Sequence, residues 1–247
     1  DRAGMVVLGV SGIYALAAFL DSQSLTVVKA FEGYVGPLKW WGAKSREWHL
    51  HRRERLQEDE ARGPDTFRNE YSATVPKDAD DLLPTRLGNA MRSGESYATE
   101  RYGADAIVVW PRLLPKVPDG DAAALSQSRA SMEQLLVLSL IVAVFGTAGG
   151  LVFALQPHSA LWSIASMVGG WALAGLLYRG AVDHAIAYSL QLKAIFDAHR
   201  LEVFDALAVA RPRNRAEERR RWRQVTNLIA QNDPEPRWPY TQGEKAK

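Results

Sequence analysis

Residues 135–178 read LLVLSLIVAVFGTAGGLVFALQPHSALWSIASMVGGWALAGLLY, and two long apolar runs dominate this stretch. The first, 135–155, has 21 residues and the second, 160–178, has 19, and neither contains a charged side chain. At about 1.5 Å of rise per residue, the first run would form a helix of roughly 31 Å, the thickness of a bilayer's hydrocarbon core. A soluble helix of that length needs a polar face, which neither run has. The pattern therefore predicts a transmembrane helical hairpin over 134–178, with a short connection at 156–159.

Small residues recur every four positions along both runs, which allows two helix backbones to approach closely in lipid. Glycine is also common in membrane helices, so a purely compositional explanation of this spacing stays open. Val142 is expected to face lipid. The predicted helix-packing residues are Gly146, Gly150 and Ala154 in the first run and Ser166, Gly170 and Ala174 in the second.

The N-terminal segment is predicted to contain one further membrane span. Residues 3–20 carry no charge and are just long enough to cross a bilayer. They lack the small-residue cleavage pattern of a signal peptide, which favours a span that is retained. Trp40 and Trp41 fit a membrane–water interface, although 22–42 is also consistent with a plain continuation of the span. Because the sequence begins with an aspartate instead of a methionine, an upstream segment is expected.

Composition divides the rest of the chain around the hairpin, because charge, proline and apolar residues are concentrated in separate stretches. The predicted fold is mainly α: an integral membrane protein with the hairpin, the N-terminal span, and a small, mostly helical cytoplasmic domain built on protruding helices. The predicted segments are an N-terminal membrane span and interfacial helix at 1–42, a charged helix and loop at 43–82, a cytoplasmic signature segment and stalk at 83–133, the transmembrane hairpin at 134–178, a cytoplasmic stalk and basic amphipathic helix at 179–232, and a flexible tail at 233–247.

The stretch 83–115 reads LPTRLGNAMRSGESYATERYGADAIVVWPRLLP and is unusually rich in specific-looking residues. Thr85 and Asp105 are predicted helix caps, whereas the composition of 107–110 leaves a short helix and an extended segment equally open. The stretch contains too many large apolar side chains to leave in water, so it is predicted to fold as a cap on the apolar stripes of 121–133 and 182–209. The apolar residues expected to be covered are Leu87, Met91, Tyr97, Tyr102, Ile107, Val109, Trp110 and Leu113.

Three short motifs in this stretch, PTRLGN, ERYGADA and WPRL, carry a resemblance. Together they resemble a signature of uncharacterised bacterial integral membrane proteins, in which it occupies a cytoplasmic segment before a membrane hairpin. The resemblance covers about 30 residues, over 83–114, and implies a multi-pass location in the bacterial inner membrane. It implies no activity and assigns no catalytic residue.

Polar side chains of the same stretch would supply the site of an enzyme acting at the membrane surface. Arginine–carboxylate networks more commonly hold a small domain together, and no histidine or cysteine lies near these residues to act as a nucleophile. No catalytic residue is predicted among them; the charged residues either pair with one another in such a network or contact a protein partner. The candidate interaction residues are Arg86, Asn89, Arg92, Glu95, Glu100, Arg101, Asp105, Trp110 and Arg112.

A basic amphipathic helix is predicted after residue 213, with Asn214 as its cap and Glu217 at its third position. Two alternatives stay open for it: it lies on anionic headgroups, or its apolar face packs on the domain and its arginines stay in solvent. Arginines cluster at 211–223 and 46–68, whereas 156–159 is uncharged, so the positive-inside rule places both charged parts in the cytoplasm. The candidate membrane-surface residues are Trp40, Trp41, Arg215, Arg219, Arg220, Arg221 and Arg223.

Chemistry-bearing motifs are absent from the sequence. It has no cysteine, its five histidines are scattered, and it contains no phosphate loop or dinucleotide fingerprint. The sequence therefore predicts that the protein binds no metal, no cofactor and no nucleic acid. The predicted function is a membrane-anchored scaffold or interaction protein that presents a cytoplasmic domain as a subunit of a larger membrane assembly; its partners would be the lipid bilayer and either another protein or a homo-oligomer. The alternatives are an oligomerising membrane-perturbing effector and, with less support, an enzyme at the membrane surface.

Overall fold

The computed structural model describes residues 24–33, 80–156 and 159–231, together with isolated positions between Ser11 and Asp78. Every regular element of this part of the chain is a helix, and no strand occurs in it. The prediction of a mainly helical fold is thereby confirmed. The elements are α1 (Ser24–Glu32), α2 (Arg86–Tyr102), α3 (Ala106–Leu113), a 3-10 turn (Leu114–Lys116), α4 (Asp119–Ala154), α5 (Ala160–Ala206) and α6 (Arg215–Gln231).

The two apolar runs lie in α4 and α5, which contain 36 and 47 residues and are long and apolar enough to cross a membrane. Neither helix contains a proline, so no missing amide interrupts its backbone hydrogen bonds. Four predictions concern residues that lie wholly or mostly outside the described ranges and stay predictions: the N-terminal span at 3–20, the interfacial Trp40 and Trp41, the charged helix and loop at 43–82, and the tail at 233–247.

Helix α5 ends in a reversal around Ala208, the one non-glycine residue with a positive φ (55°) in the described part of the chain. The amide of Val209 donates to the carbonyl of Phe204 at 2.8 Å, and the amide of Ala208 donates to that of Asp205 at 3.1 Å. These two bonds form a Schellman motif, which satisfies carbonyls that the helix end would otherwise leave unpaired. The pair formed by Asp205 and Arg211, with 2.5 Å between oxygen and nitrogen, then holds the turn that leads towards α6.

The signature stretch forms α2 and α3, so the alternative of an extended segment at 107–110 is excluded. The Thr85 hydroxyl accepts a hydrogen bond from the amide of Gly88 at 2.9 Å, and Gly103 (φ 73°) ends α2. The Asp105 carboxylate accepts from the amide of Ile107 at 2.9 Å, which caps α3 and decides the local structure against the strand-forming composition.

The chain divides into two compact units, each considered by itself. The hairpin unit takes the described residues of 1–45, 83–88 and 128–185, and the helical unit takes those of 46–82, 89–127 and 186–247. In the hairpin unit, α1 buries Val27 and Val28, and its Phe31 ring stacks on Tyr178 with 5.8 Å between centroids. Gly33 (φ 93°) follows the last residue of α1 and ends the helix.

The helical unit has one buried apolar cluster, to which α2, α3, α4, α5 and α6 all contribute. Most of the apolar residues expected to be covered in 83–115 are buried or half-buried. Ile107 is the exception, because its side chain is 83% exposed. The buried members are Ala98, Tyr102, Ala104, Val109, Leu113, Val117, Leu125, Ile195, Phe196, Val203, Phe204, Val209, Trp222 and Val225.

Candidate functional site

In the hairpin unit, α4 and α5 approach most closely where Gly146 meets Gly170. A Cβ atom added to Gly170 would lie 2.6 Å from the Cα of Gly146, and one added to Gly146 would lie 2.8 Å from the Cα of Gly170. Carbon atoms do not approach each other so closely without displacement of the backbone. Only glycine therefore fits at both positions.

Serine hydroxyls bond across the same contact to backbone carbonyls. Ser163 donates to the carbonyl of Gly150 at 2.7 Å, and Ser166 donates to that of Gly146 at 3.2 Å. In the opposite direction, Ser139 of α4 donates to the carbonyl of Ala174 at 2.9 Å. Such bonds between apolar helices each contribute roughly 0.6 kcal/mol, and they also fix the register of the two helices.

Five of the six predicted packing residues lie at this contact, namely Gly146, Gly150, Ser166, Gly170 and Ala174. Ala154 is exposed at the end of α4. The sequence prediction missed Gly149, whose added Cβ would lie 2.7 Å from the Ser166 hydroxyl, and it missed the two serines at 139 and 163. The two serines could have been found from the sequence, because they are hydroxyl donors inside otherwise apolar runs.

In the helical unit, the Asp197 carboxylate accepts a hydrogen bond from each of two tyrosines. The hydroxyl of Tyr97 donates to one carboxylate oxygen at 2.7 Å, and the hydroxyl of Tyr102 donates to the other at 2.6 Å. Both tyrosines come from α2 and Asp197 from α5, so these bonds connect residues that lie 100 and 95 positions apart. We call these three residues the tyrosine–carboxylate cluster.

Three cations surround the tyrosine rings. The guanidinium carbon of Arg200 lies 4.4 Å from the centroid of Tyr102, that of Arg101 lies 5.6 Å from the centroid of Tyr97, and the ammonium of Lys193 lies 5.5 Å from the same centroid. Cation–π contacts of this kind contribute about 0.5–1 kcal/mol at exposed sites. Arg200 also donates to the Glu218 carboxylate at 2.7 Å and to the carbonyl of Asp197.

The cluster favours neutral phenols. Burial, and after it the hydrogen bond to the Asp197 carboxylate, raises the pKa of Tyr97 and of Tyr102 above the ordinary tyrosine value. Since the pKa is higher in the folded than in the unfolded state, the stability that these phenols contribute is present below pH about 10 and is lost as the pH rises further.

Replacing Asp197 with asparagine is expected to lower the pKa of both phenols, because the carboxylate charge that opposes tyrosinate formation is removed. A spectrophotometric titration of tyrosinate in the detergent-solubilised protein should show two of the eight tyrosines ionising at lower pH than in the unchanged protein. The free energy of unfolding at neutral pH should fall by about 1–3 kcal/mol, since the hydroxyls lose a charged acceptor.

The control is Asp183→Asn, an exposed change on the same helix, which should leave the tyrosinate titration unaltered. Identical titration curves for Asp197→Asn and the unchanged protein would refute the assignment of these hydrogen bonds.

A groove of about 340 Å³ opens beside this cluster, and we call it the arginine groove. Four arginines and a single carboxylate contribute to its walls. The lining residues are Arg101, Tyr102, Arg200, Leu201, Pro212, Arg213, Asn214, Arg215 and Glu218.

The nine candidate interaction residues do not converge on one site. Arg92 pairs with Asp81 at 2.5 Å, Arg112 donates to a carbonyl of its own helix, and Asp105 is the cap of α3. Asn89 is buried and Trp110 half-buried, which leaves them little surface for a partner. Among the remaining four, Arg86 and Glu95 are exposed, Glu100 accepts from the Ser96 hydroxyl, and Arg101 reaches the arginine groove.

Helix α6 packs its apolar face into the helical unit, which is the second of the two alternatives open for it. Trp222 and Val225 are fully buried, so this face is not available to enter lipid. Arg221 is held by the Glu217 carboxylate at 2.6 Å. Of the other candidate membrane-surface arginines, Arg215 lines the arginine groove, and Arg219, Arg220 and Arg223 line a neighbouring groove of about 680 Å³.

Within the residues that the structure describes, no group of three or more histidine, aspartate or glutamate side chains is arranged to hold a metal ion. No protein-family model, curated protein or solved structure matches the chain. The resemblance of the 83–114 signature to bacterial integral membrane proteins therefore stays a prediction.

Proposed function

We propose that this chain is a membrane-anchored scaffold or interaction protein. Its hairpin crosses the inner membrane of a bacterium, and its helical unit faces the cytoplasm as part of a larger membrane assembly. The observation that carries the proposal is the exposed apolar surface of α4 and α5.

That surface is large because the two helices bury little of their most apolar stretches. Only 17% of the most apolar 18 residues in α4, and 11% in α5, are buried. A helix from the core of a soluble protein would be mostly buried, so these helices need another apolar environment, and lipid provides one. Leu155, Leu161, Trp162 and Leu151 are each more than half exposed, which fits side chains in contact with acyl chains.

The orientation follows from charge. The connection at 156–159 is uncharged, whereas seven arginines lie in the stretch from Arg211 to Arg223, and the positive-inside rule favours the cytoplasm for the arginine-rich side. Single cysteines at His158 and at the exposed Arg112, placed in this cysteine-free chain, test the orientation. An impermeant thiol reagent applied to intact cells should label only the cysteine at position 158; equal labelling of both positions would contradict it.

Binding is favoured over catalysis because several polar side chains of the helical unit are already engaged in structural bonds. Tyr97 and Tyr102 donate to Asp197, and Arg200 bonds to Glu218. The alternative of an effector that oligomerises through its glycines has lost support, because Gly146 and Gly170 meet within one chain. The apolar Ile107, 83% exposed on α3, is the strongest candidate for contact with a protein partner.

A photo-crosslinking residue at Ile107 in the full chain tests this part of the proposal. Illumination of intact cells should join the protein to one discrete partner, whereas the same residue at the exposed Ala123 should give little product. A product at twice the mass of the chain would identify a second copy as the partner. If position 107 gives no more product than position 123, the interaction role fails while the membrane location stands.

A further inference from the structure

We infer that the arginine groove of the helical unit binds a phosphate-bearing ligand. The inference goes beyond the proposed function, which requires no ligand in this groove. Its basis is the number, placement and incomplete pairing of the arginines.

The lining of the groove carries more positive than negative side chains. Arg101, Arg200, Arg213 and Arg215 line it, and Glu218 is its only lining carboxylate. Glu218 is already bonded to Arg200 at 2.7 Å. Three further guanidinium groups thus share the walls of a groove of about 340 Å³ with no other lining carboxylate. Outside the lining, the carboxylate of Asp197 attracts Arg101 and that of Glu217 attracts Arg213. Like charges held close together repel each other, so an anion that entered the groove would gain attraction and relieve this repulsion.

The four arginines converge from different parts of the chain. Arg101 is in the last turn of α2, Arg200 is in α5, Arg213 precedes α6, and Arg215 is the first residue of α6. Arginines on one exposed helix face can form such a cluster without any binding site. Here they come from three segments, namely α2, α5 and the start of α6, so the tertiary fold brings them together. The guanidinium group offers paired N–H donors in a planar fork, which matches the oxygens of a phosphate.

Two of the arginines are held in position and two are available to a ligand. Arg200 lies over the ring of Tyr102 and Arg101 lies near the rings of both cluster tyrosines, which restricts their side chains before any ligand binds. In the part of the chain that the structure describes, no hydrogen bond or ion pair engages the guanidinium group of Arg213 or Arg215, and both residues are exposed. The N–H donors of Arg101 and Arg200 can therefore orient a phosphate, while Arg213 and Arg215 move to bind it.

Two backbone amides near the start of α6 are already bonded within the chain. The amide of Glu217 donates to the Asn214 side chain at 2.9 Å, and the Glu217 carboxylate accepts from the amide of Arg213. The inference thus depends on the guanidinium groups, and its test is directed at them.

A phosphate group can come from a soluble compound or from an anionic lipid headgroup, and two probes separate these sources. The full chain is reconstituted in phosphatidylcholine nanodiscs and titrated calorimetrically. One arm uses inorganic pyrophosphate; the other uses short-chain phosphatidylglycerol, with short-chain phosphatidylcholine as its neutral reference. Binding of pyrophosphate alone identifies a soluble ligand, binding of phosphatidylglycerol alone identifies a headgroup, and binding of both shows that the phosphate itself is recognised.

The decisive comparison is between two double variants with the same loss of charge. Arg213→Gln with Arg215→Gln should weaken binding by about tenfold or more, since charge-assisted hydrogen bonds are lost. Arg220→Gln with Arg223→Gln removes two arginines that line the neighbouring groove, and it should change the affinity by less than about twofold. Arg213→Lys with Arg215→Lys keeps the charge without the fork and should bind with intermediate affinity, which also separates loss of binding from loss of folding. If neither anionic probe binds, or if the two glutamine variants weaken binding equally, the inference is overturned.

Discussion

Replacing Gly170 with leucine is expected to force α4 and α5 apart and to lower the free energy of unfolding by about 3 kcal/mol. The reason is the 2.6 Å that separates a Cβ at this position from the Cα of Gly146. Backbone atoms cannot turn aside as the end of a flexible side chain can, so the helices themselves have to move. The separation would also lengthen the nearby bond from Ser166 to the carbonyl of Gly146. Thermal unfolding of the detergent-solubilised protein measures the effect.

Gly169→Leu is the matched control. A Cβ added to Gly169 has no atom within 4 Å among the described residues, although this glycine is the immediate neighbour of Gly170 in the same helix. Both changes add the same side chain to the same apolar run, so they differ only in the direction in which the leucine points. Equal melting temperatures for the two variants would contradict the close contact between Gly146 and Gly170.

Replacing Trp222 with alanine is expected to destabilise the helical unit by about 3–5 kcal/mol. The indole ring is fully buried and packs against Phe204, with 4.4 Å between ring centroids, and against Phe196, with 6.0 Å. Alanine would leave a cavity between α5 and α6, so α6 should detach at lower denaturant concentration. Limited trypsin digestion reports this directly, because the many arginines of α6 become cleavable when it detaches.

Phenylalanine at position 222 separates packing from hydrogen bonding. The indole N–H of Trp222 has no hydrogen-bond partner in the described part of the structure, so a phenyl ring loses volume but no polar contact. Trp222→Phe should therefore cost less than half as much as Trp222→Ala. If the phenylalanine variant is as unstable as the alanine variant, the contribution of the ring does not come from its contacts with Phe204 and Phe196.

The sequence predicts helices well here because their signals are local. Uncharged runs without proline predict α4 and α5, and the capping side chains at Thr85, Asp105 and Asn214 mark where α2, α3 and α6 begin. Which face of a helix is covered is harder to predict, because it depends on the partner helix. Val142 was expected to face lipid; its side chain is half-buried, and its backbone carbonyl lies 3.3 Å from a Cβ added to Gly170.

Long-range arrangements could not be read from the sequence for the same reason. Asp197 is one of many charged residues in a long helix. No local sequence pattern shows that its carboxylate accepts a hydrogen bond from Tyr97 instead of facing solvent. The arginine groove likewise combines Arg101 with Arg213, which are more than a hundred positions apart. Ile107 was expected to be covered because it is one of the large apolar side chains of 83–115, but α3 turns it outward.

The serine bonds between α4 and α5 also determine how the hairpin would respond to mechanical force. Ser163 and Ser166 donate hydrogen bonds to carbonyls of α4, and Ser139 donates to a carbonyl of α5. Neither helix can therefore slide along the other unless all three bonds break together. Sliding would also bring larger side chains into the space where Gly146 meets Gly170. A load that peels the helices apart from one end breaks the bonds one at a time. The hairpin is therefore built to resist shear along its axis and to yield to peeling.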